Sequence, residues 1–166
     1  MQVNRLAKGW KSGARQPTQV CPNTGRKIEK LVGALRVELA EYGAMLVLLD
    51  RQQRYIIALQ GEALLENAAS IGVRIESLAS SRRTRQQLSR EIARSLGEPK
   101  VPTFNQLVLL VPAKHRTLLS ALVDQINFVI FLCQQRLLQN KLLLGRSTAD
   151  ESDRPKPSRL ILFGLN

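Results

Sequence analysis

Apolar side chains between Leu118 and Arg146 recur at alternating spacings of four and three residues. The series consists of Leu119, Val123, Ile126, Ile130, Cys133, Leu137, Asn140 and Leu144. This spacing is typical of a helix that packs along one face against other helices. It predicts a helix of about eight turns, roughly 40 Å long at about 1.5 Å per residue. Asn140 places an amide in this seam, and we favour a role in fixing helix register over a role in recognising a partner.

A second apolar row runs along the same helix, away from the seam. Its members are Phe128, Phe131, Leu132, Leu138 and Leu142. A helix that is apolar on two sides needs two partners. Two interpretations stay open: the row is a surface groove for a helix of another protein, or it faces the remaining helices as core. If it is core, the next candidate for a groove is the polar stretch near Arg82 and Arg85.

The same periodicity predicts two earlier helices, from about residue 26 to 59 and from about 62 to 96. The seam of the first consists of Ile28, Val32, Leu35, Leu39, Tyr42, Leu46, Leu49, Gln53 and Ile56. Gln53 is the polar break in that series and a possible counterpart of Asn140. The short connection at Gln60-Gly61 predicts an antiparallel hairpin, with Gly61 as a left-handed cap.

The second helix has a polar middle, residues 80–87, which contains three arginines. We expect this stretch to be solvated, because burying unpaired arginines is costly. The carboxylates of Glu38 and Glu41, which share a face of the first helix, are also interpreted as solvated surface. Beyond Pro99 and Pro102, Thr103 is predicted to cap a short helical segment over residues 104–110.

These elements predict an all-α fold: a long antiparallel helical hairpin plus a third long helix, in a coiled-coil-like three-helix bundle. Residues 1–26 hold several glycines and prolines without apolar periodicity, so they are predicted to form a disordered basic arm. Residues 27–148 are predicted to form the helical bundle domain. Residues 149–166 are predicted to form a flexible tail that ends in an apolar cluster, Leu160–Leu165.

Composition and charge limit the classes of function that this chain can have. Hydrophobic residues make up 44% of the 166-residue chain but aromatic residues only 4%, as in helical bundles. The net charge is +12, and residues 1–27 contribute six basic residues without an acidic one. A basic helical nucleic-acid-binding protein is therefore one alternative, although the sequence holds no recognised DNA-binding motif. A structural coiled-coil oligomerisation protein is the other.

The sequence offers little for catalysis. It has a single histidine, His115, two widely separated cysteines and no phosphate-binding glycine loop. We therefore expect no metal, no cofactor and no enzymatic activity. No run reaches the roughly 18 apolar residues of a membrane span, and no secretory signal is visible at the start. Free cysteines suit a reducing compartment, so a cytoplasmic location is predicted.

Several segments resemble one known family. They are Leu35–Arg54, the Glu62-Ala-Leu-Leu-Glu that follows the turn, Ile71–Arg85, and in the last helix Ile126-Asn127, Gln134-Gln135-Arg136 and Gln139-Asn140-Lys141-Leu142-Leu143-Leu144. Over roughly residues 28–148 the chain resembles the FlgN-like flagellar type III export chaperones. The resemblance implies a small cytoplasmic helical protein without a cofactor. The basic arm lies outside the family pattern.

The resemblance also implies partners. Its clients would be the hook–filament junction proteins, whose helical C-terminal ends bind the C-terminal helix region of the chaperone. The second apolar row of the last helix is the candidate client-binding surface. The tail occupies the place of a mobile segment that engages the export gate or ATPase-complex components. Leu162 and Phe163 are therefore the candidate docking residues, and folding of the tail back onto the bundle is the alternative.

Overall fold

The computed structural model of the protein describes residues 22–98 and 102–151. These residues form four α-helices: α1 over Pro22–Ile57, α2 over Gly61–Ser95, α3 over Phe104–Leu110 and α4 over Ala113–Glu151. No β-strand occurs within these two ranges. The predicted all-helical fold is confirmed for the described residues, and the predicted arrangement of a hairpin plus a third long helix is supported in part.

Helix α1 begins four residues earlier than the expected Arg26. Proline is tolerated in the first turn of a helix, where its missing N–H has no intrahelical partner anyway. Thr24 and Ile28, one turn apart, are both buried and so anchor this extra turn. Helix α4 extends to Glu151, past the expected end near Arg146. Residues 1–21 lie outside the described residues, so the basic arm stays a prediction.

Helix α1 lies at the centre of the arrangement and packs against both α2 and α4. The side chains that face its neighbours are almost completely buried, among them Leu31, Leu35 and Leu49. The opposing seam of α4 is buried at Leu119, Ile126, Cys133 and Asn140, as predicted, whereas Leu137 is 42% exposed. The short helix α3 contacts both α2 and α4.

No Cα atom of α2 lies within 8 Å of a Cα atom of α4 among the described residues, whereas α1 approaches both helices that closely. The expected three-helix arrangement is therefore supported in part: α1 packs against both long helices, and α2 and α4 lie farther from each other. The physical reason lies in the middle of α2, where arginines replace the apolar side chains that a direct contact with α4 would need. The consequence is a cleft between α2 and α4, with α1 as its floor.

The hairpin between α1 and α2 closes differently from the expectation. Gly61 is the first residue of α2, and the left-handed position belongs instead to Leu59, with φ 54°. The Gln60 N–H donates to the Tyr55 carbonyl and the Leu59 N–H to the Ile56 carbonyl, which is the Schellman pattern. Leu59 therefore adopts a conformation that is costly for a residue with a β-carbon.

The start of α3 matches its prediction. Thr103 Oγ1 accepts a hydrogen bond from the Gln106 N–H, and Gln106 Oε1 accepts one from the Thr103 N–H at 2.9 Å. This reciprocal capping box fixes the direction in which α3 leaves the loop. Leu107 and Val108 are thereby buried against the core.

Candidate functional site

The second apolar row of α4 lies on the outside of the folded chain. We call these five side chains the outer row: Phe128, Phe131, Leu132, Leu138 and Leu142. Phe128 is 61% exposed and Leu142 59% exposed, while Leu132 is half-buried. In the isolated chain the row therefore does not face the hairpin, although its members are as large and apolar as core residues.

Helical geometry explains why the row points outward. Side chains turn by about 100° per residue, so Phe128 and Leu142 lie on the side of α4 opposite to Ile126 and Cys133. Ile126 and Cys133 are buried against α1. The opposite side of α4, which carries the outer row, therefore faces solvent. Large exposed apolar patches on a folded chain typically mark interaction sites.

Polar contacts between α1 and α4 hold the outer row in a defined position along α1. The Asn140 amide is buried and donates to the Leu49 carbonyl and to Gln52 Oε1, both at 2.9 Å. Gln53, the polar residue of the α1 seam, is not the partner of Asn140. Gln53 instead accepts a hydrogen bond from the Arg136 guanidinium, which also forms an ion pair with Asp50.

The apolar composition of α4 also raises the question of whether this helix could cross a membrane. The stretch Ala113–Arg146 is long and apolar enough to cross a membrane, by length and composition only. One such helix is weak evidence for a span, and 22% of its most apolar 18-residue window is buried within the fold. The contacts of Asn140 and Arg136 with α1 belong to a helix that is packed within a protein fold.

The cleft between α2 and α4 is the second candidate site, with a volume of about 420 Å³. Its lining residues from α1 and α2 are Leu35, Glu38, Tyr42, Arg82, Arg85 and Gln86, and those from the α3 end and α4 are Thr103, Phe104, Asn105, Val123, Ile126, Asn127 and Ile130. One wall is therefore basic and the other is largely apolar. The sequence analysis named the Arg82–Arg85 region only as a substitute for the outer row.

Glu38 is a functional-site candidate that the sequence analysis missed. It was interpreted as solvated, yet it is only 1% exposed and its Oε2 lies 2.6 Å from Nε of Arg85. Arg85 is half-buried, so the expected solvation of residues 80–87 is wrong at this position, while Arg83 is exposed as expected. Glu38 lies three residues after Leu35 and four before Tyr42, and this position on the α1 seam was the available signal.

The floor of the cleft carries a second unusual group. Tyr42 is 6% exposed, and its hydroxyl is buried beside the Arg82 guanidinium. Burial raises the pKa of this hydroxyl, and the nearby positive charge of Arg82 opposes that shift. The guanidinium carbon of Arg82 lies 5.5 Å from the Tyr42 ring centroid, and that of Arg85 lies 6.0 Å from the Phe104 ring centroid.

Other reactive or charged groups serve the packing between helices. Burial raises the pKa of the Cys133 thiol, which donates to the Tyr42 carbonyl at 3.6 Å. Glu41 pairs with Arg74 at 2.6 Å, and this hydrogen bond lowers the pKa of the Glu41 carboxyl. Across the described ranges, no group of three or more His, Cys, Asp or Glu side chains is arranged to hold a metal ion.

The predicted docking residues of the tail, Leu162 and Phe163, lie outside the described residues. The two candidate surfaces on the described part of the chain are therefore the outer row and the cleft. They adjoin along α4, because Asn127 of the cleft and Phe131 of the outer row lie one helical turn apart.

Comparison with known proteins identifies the family. The family model described as FlgN protein matches residues 27–149, which is most of the chain and covers all of α2, α3 and the outer row. No curated protein and no solved structure matches the chain with significance. The chain thus belongs to the FlgN family, a family of flagellar export chaperones.

Proposed function

We propose that this protein is a cytoplasmic chaperone that binds the C-terminal helices of hook–filament junction proteins and delivers them to the type III export apparatus. The observation that carries the proposal is the outer row of α4: four of its five side chains are at least 52% exposed. Membership of the FlgN family supports the chaperone class. The choice of client and the binding surface are our own inference.

The chemistry of the outer row suits a helical client. Its members recur at spacings of three and four residues, which is how an amphipathic helix is recognised by a hydrophobic surface. Export clients of this kind bury a terminal helix in their final assembly and need it covered beforehand. Each apolar side chain that becomes fully buried contributes roughly 1.5–3 kcal/mol to the free energy of binding. A few such side chains are therefore enough for a measurable affinity.

The experiment is a binding titration between the full chain and the C-terminal helix of a junction protein from the same organism. The test variant is Phe128→Ser combined with Phe131→Ser. The matched control is Leu65→Ser, because Leu65 is 63% exposed on α2 and distant in sequence from the outer row. We expect at least tenfold weaker client binding in the test variant and unchanged binding in the control.

Thermal melts decide whether the row acts through binding or through folding. Ile126→Ala, at a site that is 5% exposed, serves as the core reference and should cost roughly 2–5 kcal/mol of stability. The Phe128/Phe131 double variant should change stability by about 0.5 kcal/mol or less per site. If it melts as early as Ile126→Ala, the row is core and this surface is not the client site.

We also propose that the tail docks on an export-gate or ATPase-complex component through Leu162 and Phe163. The support is a short apolar cluster beyond the polar, proline-containing segment 147–157. Replacing both residues with Ser should reduce export of junction proteins in cells while leaving client binding and thermal stability of the purified chain unchanged. A loss of stability with normal export of the folded fraction would instead support folding of the tail onto the bundle.

The same titrations test the nucleic-acid alternative. Binding to nucleic acid through the net charge of +12 weakens steeply with salt, whereas burial of apolar anchors is much less sensitive. We expect client binding to change little between low and physiological salt. Tight and salt-sensitive binding of duplex DNA, without client binding, would favour the alternative.

A further inference from the structure

We propose that the end of the helical domain at which α1 begins docks on an anionic lipid surface, through exposed lysines and arginines and the exposed leucines beside them. This inference goes beyond the proposed function, because the partner is a lipid and the surface does not include the outer row. It rests on the directions of the helices, on the distribution of charge between the two ends of the domain and on apolar side chains at the same end.

The directions of the long helices bring three helix termini together. Cys133 and Asn140 of α4 both contact carbonyl oxygens of α1 that lie 91 positions earlier, so α4 runs parallel to α1. From Asn67 to Arg85 along α2, the contacted position on α1 moves back from 48 to 38, so α2 runs antiparallel to α1. The starts of α1 and α4 and the end of α2 therefore lie at one end of the domain. We call it the basic end, and it comprises residues 22–31, 90–98 and 102–119.

Positive charge is concentrated at the basic end. It carries seven basic residues against three acidic ones, whereas the opposite end carries four against three in residues 48–57, 61–69 and 139–146. Six of the seven are exposed, namely Arg26, Lys30, Arg90, Arg94, Lys114 and Arg116. The three ion pairs among the described residues involve none of these six. Their charges are therefore available to an anionic surface.

Exposed leucines accompany these charges. Leu109 is 68% exposed at the end of α3, and Leu118 is 40% exposed near the start of α4. Leu107 and Val111, one helical turn apart, are buried and fix the orientation of α3, so that Leu109 points away from the core. Lys114 lies between the two exposed leucines in sequence. Apolar and cationic side chains therefore occur together on the same surface.

This combination favours a lipid surface over other anionic partners. In binding to a membrane interface, apolar side chains enter the boundary between headgroups and acyl chains, while lysines and arginines attract the anionic headgroups. A nucleic acid would use the basic residues for its phosphates, but it gives no reason for exposed leucines. An acidic peptide contacts a narrow strip, whereas the charges here are spread over the termini of three helices.

The test measures cosedimentation of the full chain with vesicles of phosphatidylcholine, either alone or mixed with an equal amount of anionic phosphatidylglycerol. The first test variant removes one exposed charge from each long helix at the basic end: Lys30→Gln, Arg94→Gln and Lys114→Gln. The matched control removes the same charge from exposed positions towards the opposite end: Arg51→Gln, Arg54→Gln and Lys141→Gln. The second test variant is Leu109→Ser, and its control is Leu65→Ser, because Leu65 is 63% exposed near the start of α2.

We expect the unmodified chain to bind the mixed vesicles and not phosphatidylcholine alone. The triple variant of the basic end should bind roughly tenfold more weakly or less, because each Lys or Arg close to an anionic membrane adds to the attraction. The triple control should stay within about threefold, since its charges lie farther from the membrane than the screening length. Leu109→Ser should bind at least about threefold more weakly, and Leu65→Ser should bind as the unmodified chain does.

Several results would overturn the proposal. Absence of binding to the mixed vesicles would exclude an anionic lipid surface as the partner. Equal losses in the two triple variants would show that net charge alone, and not the basic end, attracts the vesicles. Duplex DNA that displaces the vesicles, together with normal vesicle binding by Leu109→Ser, would assign the basic end to nucleic-acid phosphates.

The basic residues before position 22 provide a further discriminating variant, in which Arg5, Lys8, Lys11 and Arg15 are all replaced by Gln. Loss of vesicle binding in this variant, with normal binding by the triple variant of the basic end, would assign the attraction to that segment and overturn the proposal. All substituted side chains of the basic end are exposed, so unchanged melting temperatures are expected. If the triple variant melts earlier, its three single substitutions should each weaken binding in part, and normal binding by all three would contradict the proposal. Because the outer row is not altered, each of these failures leaves the proposed client site standing.

Discussion

Asn67 on α2 and Asn140 on α4 donate their side-chain amides to adjacent carbonyl oxygens of α1. Asn67 Nδ2 lies 3.3 Å from the Leu48 oxygen, and Asn140 Nδ2 lies 2.9 Å from the Leu49 oxygen. Both side chains are buried, and each of their helices packs against α1. The two flanking helices are therefore held in register at the same level of the central helix.

We predict that Asn140→Asp destabilises the fold by about 2 kcal/mol or more at neutral pH. The substitution replaces a donor with a buried anion that faces two acceptors, the Leu49 carbonyl and Gln52 Oε1. Urea unfolding at neutral pH measures the loss. The matched control Lys141→Gln changes an exposed neighbour and should stay within about 0.5 kcal/mol of the unmodified chain.

The deficit of Asn140→Asp relative to the unmodified chain should shrink as the pH is lowered, because a protonated carboxyl group can donate a hydrogen bond again. Equal stability of Asn140→Asp and Lys141→Gln at neutral pH would contradict a role for the amide in register.

Arg85→Met should cost about 2–4 kcal/mol of stability, because it leaves the Glu38 carboxylate buried without its partner. This is slightly below the roughly 3–5 kcal/mol typical of breaking a fully buried pair, since the Arg85 side chain is 26% exposed. Arg83→Met is the control and should have almost no effect. Combining Arg85→Met with Glu38→Met should recover much of the loss; if the double variant is the least stable of the set, desolvation of Glu38 is not the cause.

Stability should fall as the pH rises above about 9. Burial raises the pKa of the Cys133 thiol from its ordinary value of 9.0 and that of the Tyr42 hydroxyl from 10.0. Between the ordinary and the raised value the native chain holds a proton that the unfolded chain has released, so the free energy of unfolding decreases with increasing pH. Unfolding titrations of the chain carrying Cys133→Val and Tyr42→Phe should show a shallower decrease. An identical slope would mean that neither group is linked to folding in this range.

Leu59→Gly should stabilise the protein by about 1 kcal/mol, because glycine adopts positive φ without the steric penalty of a β-carbon. Leu59 has φ 54° and is 81% exposed, so the substitution loses little apolar burial. Leu65→Gly, inside α2, is the opposing control and should lose about 1 kcal/mol. Thermal melts of the two variants should therefore move in opposite directions, and a lower melting temperature for Leu59→Gly would contradict the assigned turn.

Local periodicity was enough to determine the helices of this protein. The seam of α1, most of the seam of α4 and the cap at Thr103 follow from patterns within a few residues along the chain, and the structure confirms them, with Leu137 as the exposed exception. The family resemblance over residues 28–148 agrees with the matched range 27–149. Local patterns also identified the two apolar sides of α4 but could not determine which side packs, since both have helical spacing.

Only the tertiary structure determined which polar side chains are buried and which partners they contact. Glu38 is an ordinary charged residue in sequence, and its burial depends on Arg85, which is 47 positions away. Likewise, the partner of Asn140 is Gln52 rather than Gln53, because one residue turns a helical side chain by about 100°. How closely α2 and α4 approach each other across α1 depends on packing among three helices. The cleft and the exposed outer row therefore form only when the chain is folded.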